Sequence, residues 1–152
     1  MCYNIRKQAR RSSPMREVTF PATDEALQDA NEFMESALEE AGCTMKNQMK
    51  IMVALEELFV NVVHYAYEDA GDDVDRYVKL ALDFDDDDMI LKIIDSGKPF
   101  NPLKKKDPDI NLSAEERKIG GLGIYMVKQT MDEVDYDHDD GCNIVTIKHK
   151  IK

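Results

Sequence analysis

A carboxylate and a carboxamide stand one helical turn apart near the middle of the chain. Glu57 and Asn61 lie four residues apart in the segment ALEELFVNVVHYAY, so they share a helix face with His64, while Glu56 points toward solvent. An amide oxygen can ligate a hard cation, and a carboxylate can accept a proton. The pair therefore suits a metal–nucleotide site, and side chains that cap a neighbouring loop are the alternative interpretation.

The helix that carries this pair is dense in apolar residues. Their number predicts a helix from about Met45 to Ala66 that is buried over most of its circumference, so that its polar side chains point at a site. The apolar positions are Met49, Met52, Val53, Leu55, Phe59, Val60, Val62 and Val63.

Two glycine-containing segments follow further along the chain. The nearly continuous apolar run MILKIID predicts a central strand that ends at Asp95, where an acid is well placed at the floor of a pocket. A strand-terminal Asp-Ser-Gly turn would give the same residues. Farther on, Gly120-Gly121-Leu122-Gly123 precedes a predicted helix from Ile124 to Met131. Glycines at a helix start let backbone N–H groups approach phosphate oxygens.

These three segments, in this order, resemble the N box and the two glycine boxes of the GHKL (histidine-kinase-like) ATPase superfamily. Within it, ALEELFVNVVHYAY, DSGKPFNP and GGLGIYMVKQTMDEVDY resemble the anti-sigma-factor serine kinases. The resemblance spans about Val18 to Ile151. It implies an α+β fold (an α/β sandwich) of the Bergerat type, with a mixed, mainly antiparallel sheet and helices on one face.

The resemblance also implies roles for particular residues, with ATP and Mg²⁺ as cofactors. Glu57 would be the general base and Asn61 the Mg²⁺ ligand, while Asp95 would accept the exocyclic amine of adenine beside Gly97. The phosphates would lie against Gly121, Leu122 and Gly123. Asn143 stands where relatives commonly carry a Gly-Thr, and its amide is expected to hold Asp95 in place of the threonine hydroxyl. His64 is interpreted as structural.

The segment from Asn101 to Ile119 has two prolines and little periodicity, and it matches the ATP lid of the family. It carries Lys104, Lys105 and Lys106, for which a solvated loop is an equal alternative. Arg117 is the preferred candidate for a phosphate contact.

Charge and composition exclude several classes of function. The net charge of the chain is −11. Residues 1–16 hold five basic side chains and no acid, so the remaining 136 residues carry 15 basic and 31 acidic side chains. An acidic body of this kind argues against direct nucleic-acid binding. The absence of an apolar leader or membrane-length run, with three cysteines and no CxxC, predicts a cytoplasmic protein with reduced thiols.

The domain prediction is a basic, disordered tail at 1–14 and one ATP-binding domain at 15–152. The tail could also be a partner-binding arm. Around the central helix we expect a strand at Glu17–Pro21, a helix from Thr23 or Asp24 to Ala41, a half-buried strand Tyr77–Asp83 paired with Met89–Asp95, and a closing hairpin that turns at Asp139-Asp140-Gly141.

The function expected from the resemblance is a serine protein kinase. It would phosphorylate a serine of an anti-anti-sigma protein and regulate a sigma factor, with a homodimer as one option. The alternatives are a catalytically silent ATP-binding regulatory module, a detached histidine-kinase catalytic domain and a phosphatase-linked regulator.

Overall fold

The computed structural model describes residues 15–104 and 121–152. The predicted tail at 1–14, Arg117 and most of the predicted lid lie outside these residues. The elements in chain order are β1 (Arg16–Pro21), α1 (Leu27–Glu40), α2 (Met45–Asn61) continued by a π-helical turn (Val62–Ala66), β2 (Tyr77–Asp85), β3 (Asp88–Asp95), a short 3₁₀ helix (Pro102–Lys104), α3 (Gly121–Thr130), β4 (Glu133–Asp139) and β5 (Cys142–Lys150).

The five strands form one sheet in the order β1-β2-β3-β5-β4. All four pairings are antiparallel, so the sheet that was expected to be mixed is antiparallel throughout its described strands. The closing hairpin turns at Asp140 and Gly141, which both have positive φ (51° and 76°), as a two-residue turn of this hand requires. The pairing of β3 with β5 places Asp95 opposite Asn143.

The helices cover one face of the sheet, as predicted, and the main core lies between them. Phe59 and Leu55 of α2 and Met34 of α1 are fully buried against sheet residues such as Ile93 and Ile147. Each such side chain contributes about 1.5–3 kcal/mol through burial. The core therefore fixes α2 on the sheet and sets the height of its polar residues above the strand ends.

The opposite face differs from the prediction. We expected β2 to be half-buried, but Lys79 and Asp83 are both buried on that face, and Lys79 pairs with Glu17 at 3.3 Å. A second apolar cluster forms there from Ala81, Ile94, Cys142 and Ile144, with Met15 packed against it. The strand β2 is therefore buried on both faces, although its alternating pattern predicted one exposed face.

Helix boundaries follow local chemistry. Helix α1 starts later than predicted because Thr23 Oγ1 accepts a hydrogen bond from the Ala26 amide and holds a turn ahead of the helix. It ends at Glu40, and Gly42 just beyond it has φ = 77°, the left-handed conformation that glycine adopts without penalty. The side chain of Thr44 then caps α2 by accepting from the Asn47 amide at 3.3 Å.

The exposure of α2 contradicts the sequence prediction. Met45 is 70% exposed, Met49 64% and Val53 52%, so the helix is not buried over most of its circumference. It is flanked by α1 and α3 and rests on the sheet, which leaves one face open. The residues that do face the sheet side, such as Leu58 and Phe59, are buried as expected.

Two further properties bear on the expected cellular setting. None of the helices in residues 15–104 and 121–152 is long and apolar enough to cross a membrane. Cys43 is a free thiol.

Candidate functional site

The carboxylate of Asp95 closes the end of β3 and is only 5% exposed. Its Oδ1 accepts two hydrogen bonds, from the Gly97 amide and from Asn143 Nδ2, each at 2.9 Å. Among the described residues nothing else bonds to this carboxylate, so Oδ2 is left to accept a hydrogen bond from a ligand. Burial raises the pKa of Asp95, and the bonds from Asn143 and Gly97, together with the charge of His138, oppose that rise.

Asn143 organises this end of the sheet. Besides Asp95, its Nδ2 donates to the carbonyl of Lys98 at 2.9 Å, and its Oδ1 accepts from the Phe100 amide at 3.1 Å and from Tyr136 Oη at 2.5 Å. The amide contact with Asp95 that the sequence suggested is therefore present. The same side chain also fixes the loop that follows β3.

Gly97 lies against the end of the central helix. A Cβ at Gly97 would fall 2.2 Å from the carbonyl oxygen of Ala66, and the next amide, Lys98 N, donates to that oxygen at 3.0 Å. Only glycine lets the two backbones approach this closely. Ala66 ends the π-helical turn, and irregular turns of this kind are frequent at functional sites.

A tyrosine that sequence reasoning missed supports the same loop. Tyr67 Oη donates to the Tyr77 carbonyl at 2.6 Å and accepts from the amides of Tyr77 and Ser96 at 3.2 and 3.1 Å. Burial raises the pKa of Tyr67. Tyr136, which bonds Asn143, was missed as well. Each is the last residue of a quoted motif, Tyr67 of ALEELFVNVVHYAY and Tyr136 of GGLGIYMVKQTMDEVDY, but neither was given a role.

A cleft connects these groups with α2. Asn61 is half-buried and lines this cleft together with Asp95 and Asn143. The rest of the wall is mainly apolar and consists of Leu58, Val62, Tyr65, Ala66, Ile93, Phe100, Pro102 and Val145, with Lys98 at the edge. Apolar walls with a few convergent polar groups are typical of a small-molecule site.

Glu57 lies one turn before Asn61 and meets α3. A Cβ at Gly123 would fall 1.9 Å from Glu57 Oε2, so the carboxylate lies directly against the first turn of that helix. Gly121 and Leu122 open α3, and their side chains are outside the described part of the structure. Asp95, Asn61 and Asn143 thus share one cleft, and Glu57 and Gly123 meet at the next turn along α2.

Two further side chains, His64 and Lys98, complete the surroundings. His64 Nε2 lies 2.9 Å from Asp24 Oδ1 and ties the central helix to the turn before α1, which fits its interpretation as structural. Lys98 Nζ pairs with Asp69 at 3.2 Å and Glu68 at 3.6 Å, and the bond with Asp69 raises its pKa. Sequence reasoning did not single out Lys98, which lines the cleft and is paired with two acids.

The polar groups of the cleft suit Mg²⁺ bound together with a nucleotide. The described residues contain no cluster of three or more His, Cys, Asp or Glu side chains that could hold an ion. Mg²⁺ in nucleotide sites needs few protein ligands, because phosphate oxygens and water supply the others. The half-buried amide of Asn61 in a cleft that Asp95 closes agrees with that mode of binding.

Comparison with known proteins decides the family. The histidine kinase-like ATPase domain matches residues 20–149. The chain belongs to this family of ATPase domains. Its curated relatives include the serine-protein kinase RsbW of Bacillus mycoides, 27% identical over 138 residues that cover 88% of this chain and 83% of that protein. Another is RsbW of Bacillus cereus, 30% identical over 102 residues that cover 64% of this chain and 61% of that protein.

A solved structure agrees with the fold of this ATPase domain. The RsbU and RsbW domains of Rv1364c from Mycobacterium tuberculosis superpose with a TM-score of 0.65 at 20% identity, over 91% of this chain and 33% of that one. The α/β sandwich predicted from the motifs is confirmed. So is the resemblance to the serine-kinase branch of the histidine-kinase-like ATPases.

Proposed function

We propose that this ATPase domain is a Mg²⁺-ATP-dependent protein serine kinase of the anti-sigma type. Its acceptor would be a serine of an anti-anti-sigma protein, and its second client a sigma factor, within the cytoplasm. The observation that carries the proposal is the position of Glu57. Its carboxylate lies against Gly123 in the first turn of α3. One turn after Glu57 on α2, Asn61 lines the cleft that contains Asp95.

Adenine recognition is assigned to Asp95. Its Oδ2 accepts the 6-amino group, while Oδ1 stays bound to Asn143 and Gly97. Guanine would present its 6-oxo oxygen to the same carboxylate, and two acceptors repel each other. Selectivity of this kind is strong because a buried polar group would be left without a partner.

Phosphate binding is assigned to the start of α3 and to the cations near the cleft. The amides of Gly121, Leu122 and Gly123 are at a helix N-terminus, where the dipole favours an anion. Asn61 would hold Mg²⁺, which supplies charge neutralisation to the phosphates when bound. Arg117 remains the proposed lid contact, and Lys98 is a second candidate.

Glu57 is assigned as the general base. Its carboxylate takes the proton of the acceptor serine hydroxyl while the serine oxygen forms a bond to the γ-phosphorus. The bond from that phosphorus to the β–γ bridging oxygen breaks, and ADP leaves. Positioning and charge neutralisation supply most of the acceleration in phosphoryl transfer, and the base adds its own share.

The proposal is tested with purified protein, labelled ATP and recombinant candidate acceptors encoded beside this chain. We expect label on one serine of one acceptor, located by phosphosite mapping and abolished by EDTA. ATP binding without transfer to any acceptor would contradict the kinase function and favour the silent regulatory module. Absence of ATP binding would contradict both.

A further inference from the structure

One face of α2 exposes apolar side chains that do not pack in the core. Met45, Met49 and Val53, hereafter the α2 stripe, are all more than half exposed. Four residues advance an α-helix by about 400°, so these three side chains lie within an arc of roughly 80°. Contiguous exposed apolar surface of this kind marks an interaction site more often than single scattered residues do.

Helix α3 packs beside α2 and carries a further exposed apolar side chain, Met126. Gly123 at its start meets Glu57 near the end of α2. The Asp132 amide just past its end donates to His149, whose other nitrogen contacts Asn47 near the start of α2. The two helices therefore run in opposite directions, and Met126, 43% exposed, lies between these two contacts along α3. Four of the seven exposed large apolar side chains in residues 15–104 and 121–152 thus lie on these two helices.

The α2 stripe leads directly to the proposed base. Glu57 follows Val53 by one turn and is exposed on the same side of the helix. An acceptor serine that reaches Glu57 must belong to a protein that rests on the surface beside it. The stripe is such a surface, and it is continuous with the catalytic end of the helix.

Charge favours an acidic occupant. The first ten residues of α2 contain Lys46 and Lys50 and no acid, in a body whose acids outnumber its bases by two to one. A lysine in the first turn of a helix is disfavoured by the helix dipole, so Lys46 does not stabilise the fold through its position. Both lysines lie beside the stripe, where they can pair with carboxylates at the edge of an interface.

We propose that the α2 stripe, with Met126 and Lys46 and Lys50 at its edge, is the docking surface for the phosphoacceptor protein. The identity of the occupant rests on the proposed kinase function. The acceptor would present its serine at the edge of an apolar patch ringed by carboxylates. Docking on the stripe would bring that serine to Glu57.

The test uses the acceptor that takes label in the assay above, with its phosphorylated serine replaced by alanine for binding measurements. We expect the double variant M49Q/V53Q to lower the affinity for this acceptor, measured by calorimetry, about tenfold or more. In transfer assays its KM for the unmodified acceptor should rise by the same factor, with kcat and ATP affinity unchanged. Val74→Gln is the matched control, because Val74 is equally apolar and 42% exposed in the loop before β2.

Charge reversal gives a second, independent measurement. K46E/K50E should weaken acceptor binding and flatten its dependence on salt, since exposed ion pairs are screened by salt. Unchanged binding and KM in M49Q/V53Q would overturn the proposal while leaving the kinase function intact. A loss of self-association in sedimentation, with KM unaltered, would assign the stripe to a second copy of the chain and overturn it too. Glu57→Gln separates the two proposals, because it should stop transfer and leave docking unchanged.

Discussion

Replacing Glu57 by glutamine is expected to lower phosphoryl transfer by about 10²- to 10⁴-fold, the usual contribution of a positioned general base. The amide keeps the size of the side chain against Gly123 but cannot accept the serine proton. ATP affinity should stay within about threefold, because Asp95 and Asn61 are untouched. The measurement is the initial rate of serine labelling at saturating ATP and acceptor, with calorimetry for ATP.

The neighbouring acid provides a matched control. Glu56 is also exposed on α2, but it is rotated by about 100° from Glu57. Glu56→Gln removes the same charge from the same helix and should leave the rate unchanged. Equal transfer by Glu57→Gln and the wild type would refute the assignment of the base, and equal loss in both variants would indicate a nonspecific effect of charge.

Asp95→Asn is expected to separate ligand affinity from stability. It should weaken ATP binding by about 10- to 100-fold, since a hydrogen bond to a charged group is worth about 1.5–3 kcal/mol. The melting temperature should stay the same or rise. Asparagine retains an oxygen for the Gly97 amide and Asn143 Nδ2, and it removes a charge that burial disfavours.

The pKa shift fixes the sign of the pH effect. Because burial raises the pKa of Asp95 in the folded protein, protonation of this group stabilises the fold, and that contribution is lost as the pH rises through the folded pKa. ATP binding needs the ionised form, so affinity should fall as the pH drops toward that pKa. The variant should lose this pH dependence.

Asp137→Asn is the control for this experiment, because it removes an exposed acid from β4 on the same sheet. Its ATP affinity and melting temperature should match those of the wild type. Unchanged affinity in Asp95→Asn would remove Asp95 from the site.

Local spacing was enough to predict how some of these residues come together. A separation of four residues places Glu57 and Asn61 on one face of a helix whatever surrounds it. An acid that ends an apolar strand lies where the strands of the sheet end, and Asp95 lines the cleft there together with Asn61. The elements that carry these residues, α2 and β3, were predicted from periodicity alone.

Other features depend on contacts between distant segments. Asn143 faces Asp95 because β3 pairs with β5 in one register, and no pattern within either strand encodes that register. The Tyr67 hydroxyl accepts a hydrogen bond from the Ser96 amide in the loop after β3, 29 residues away in the sequence. The Tyr136 hydroxyl donates to Asn143 on the neighbouring strand. A tyrosine among apolar residues gives no sign of which backbone groups it will meet.

The burial of α2 was predicted wrongly for a physical reason. Hydrophobic periodicity counts apolar residues, and it does not distinguish those that pack on the protein's own sheet from those left for a partner. Leu58 and Met49 look alike in sequence, yet one is buried and the other is exposed. The surplus of apolar residues on α2 was therefore a signal of the exposed stripe.

We propose that Asp95, Asn61, Glu57 and the start of α3 surround one Mg²⁺-ATP. A calorimetric titration of the wild-type protein with ATP and with GTP, with and without Mg²⁺, tests it most directly. We expect one ATP per chain, weaker binding of ATP without Mg²⁺, and binding of GTP at least about 100-fold weaker than that of ATP. Equal affinity for the two nucleotides, or no binding of ATP, would contradict it.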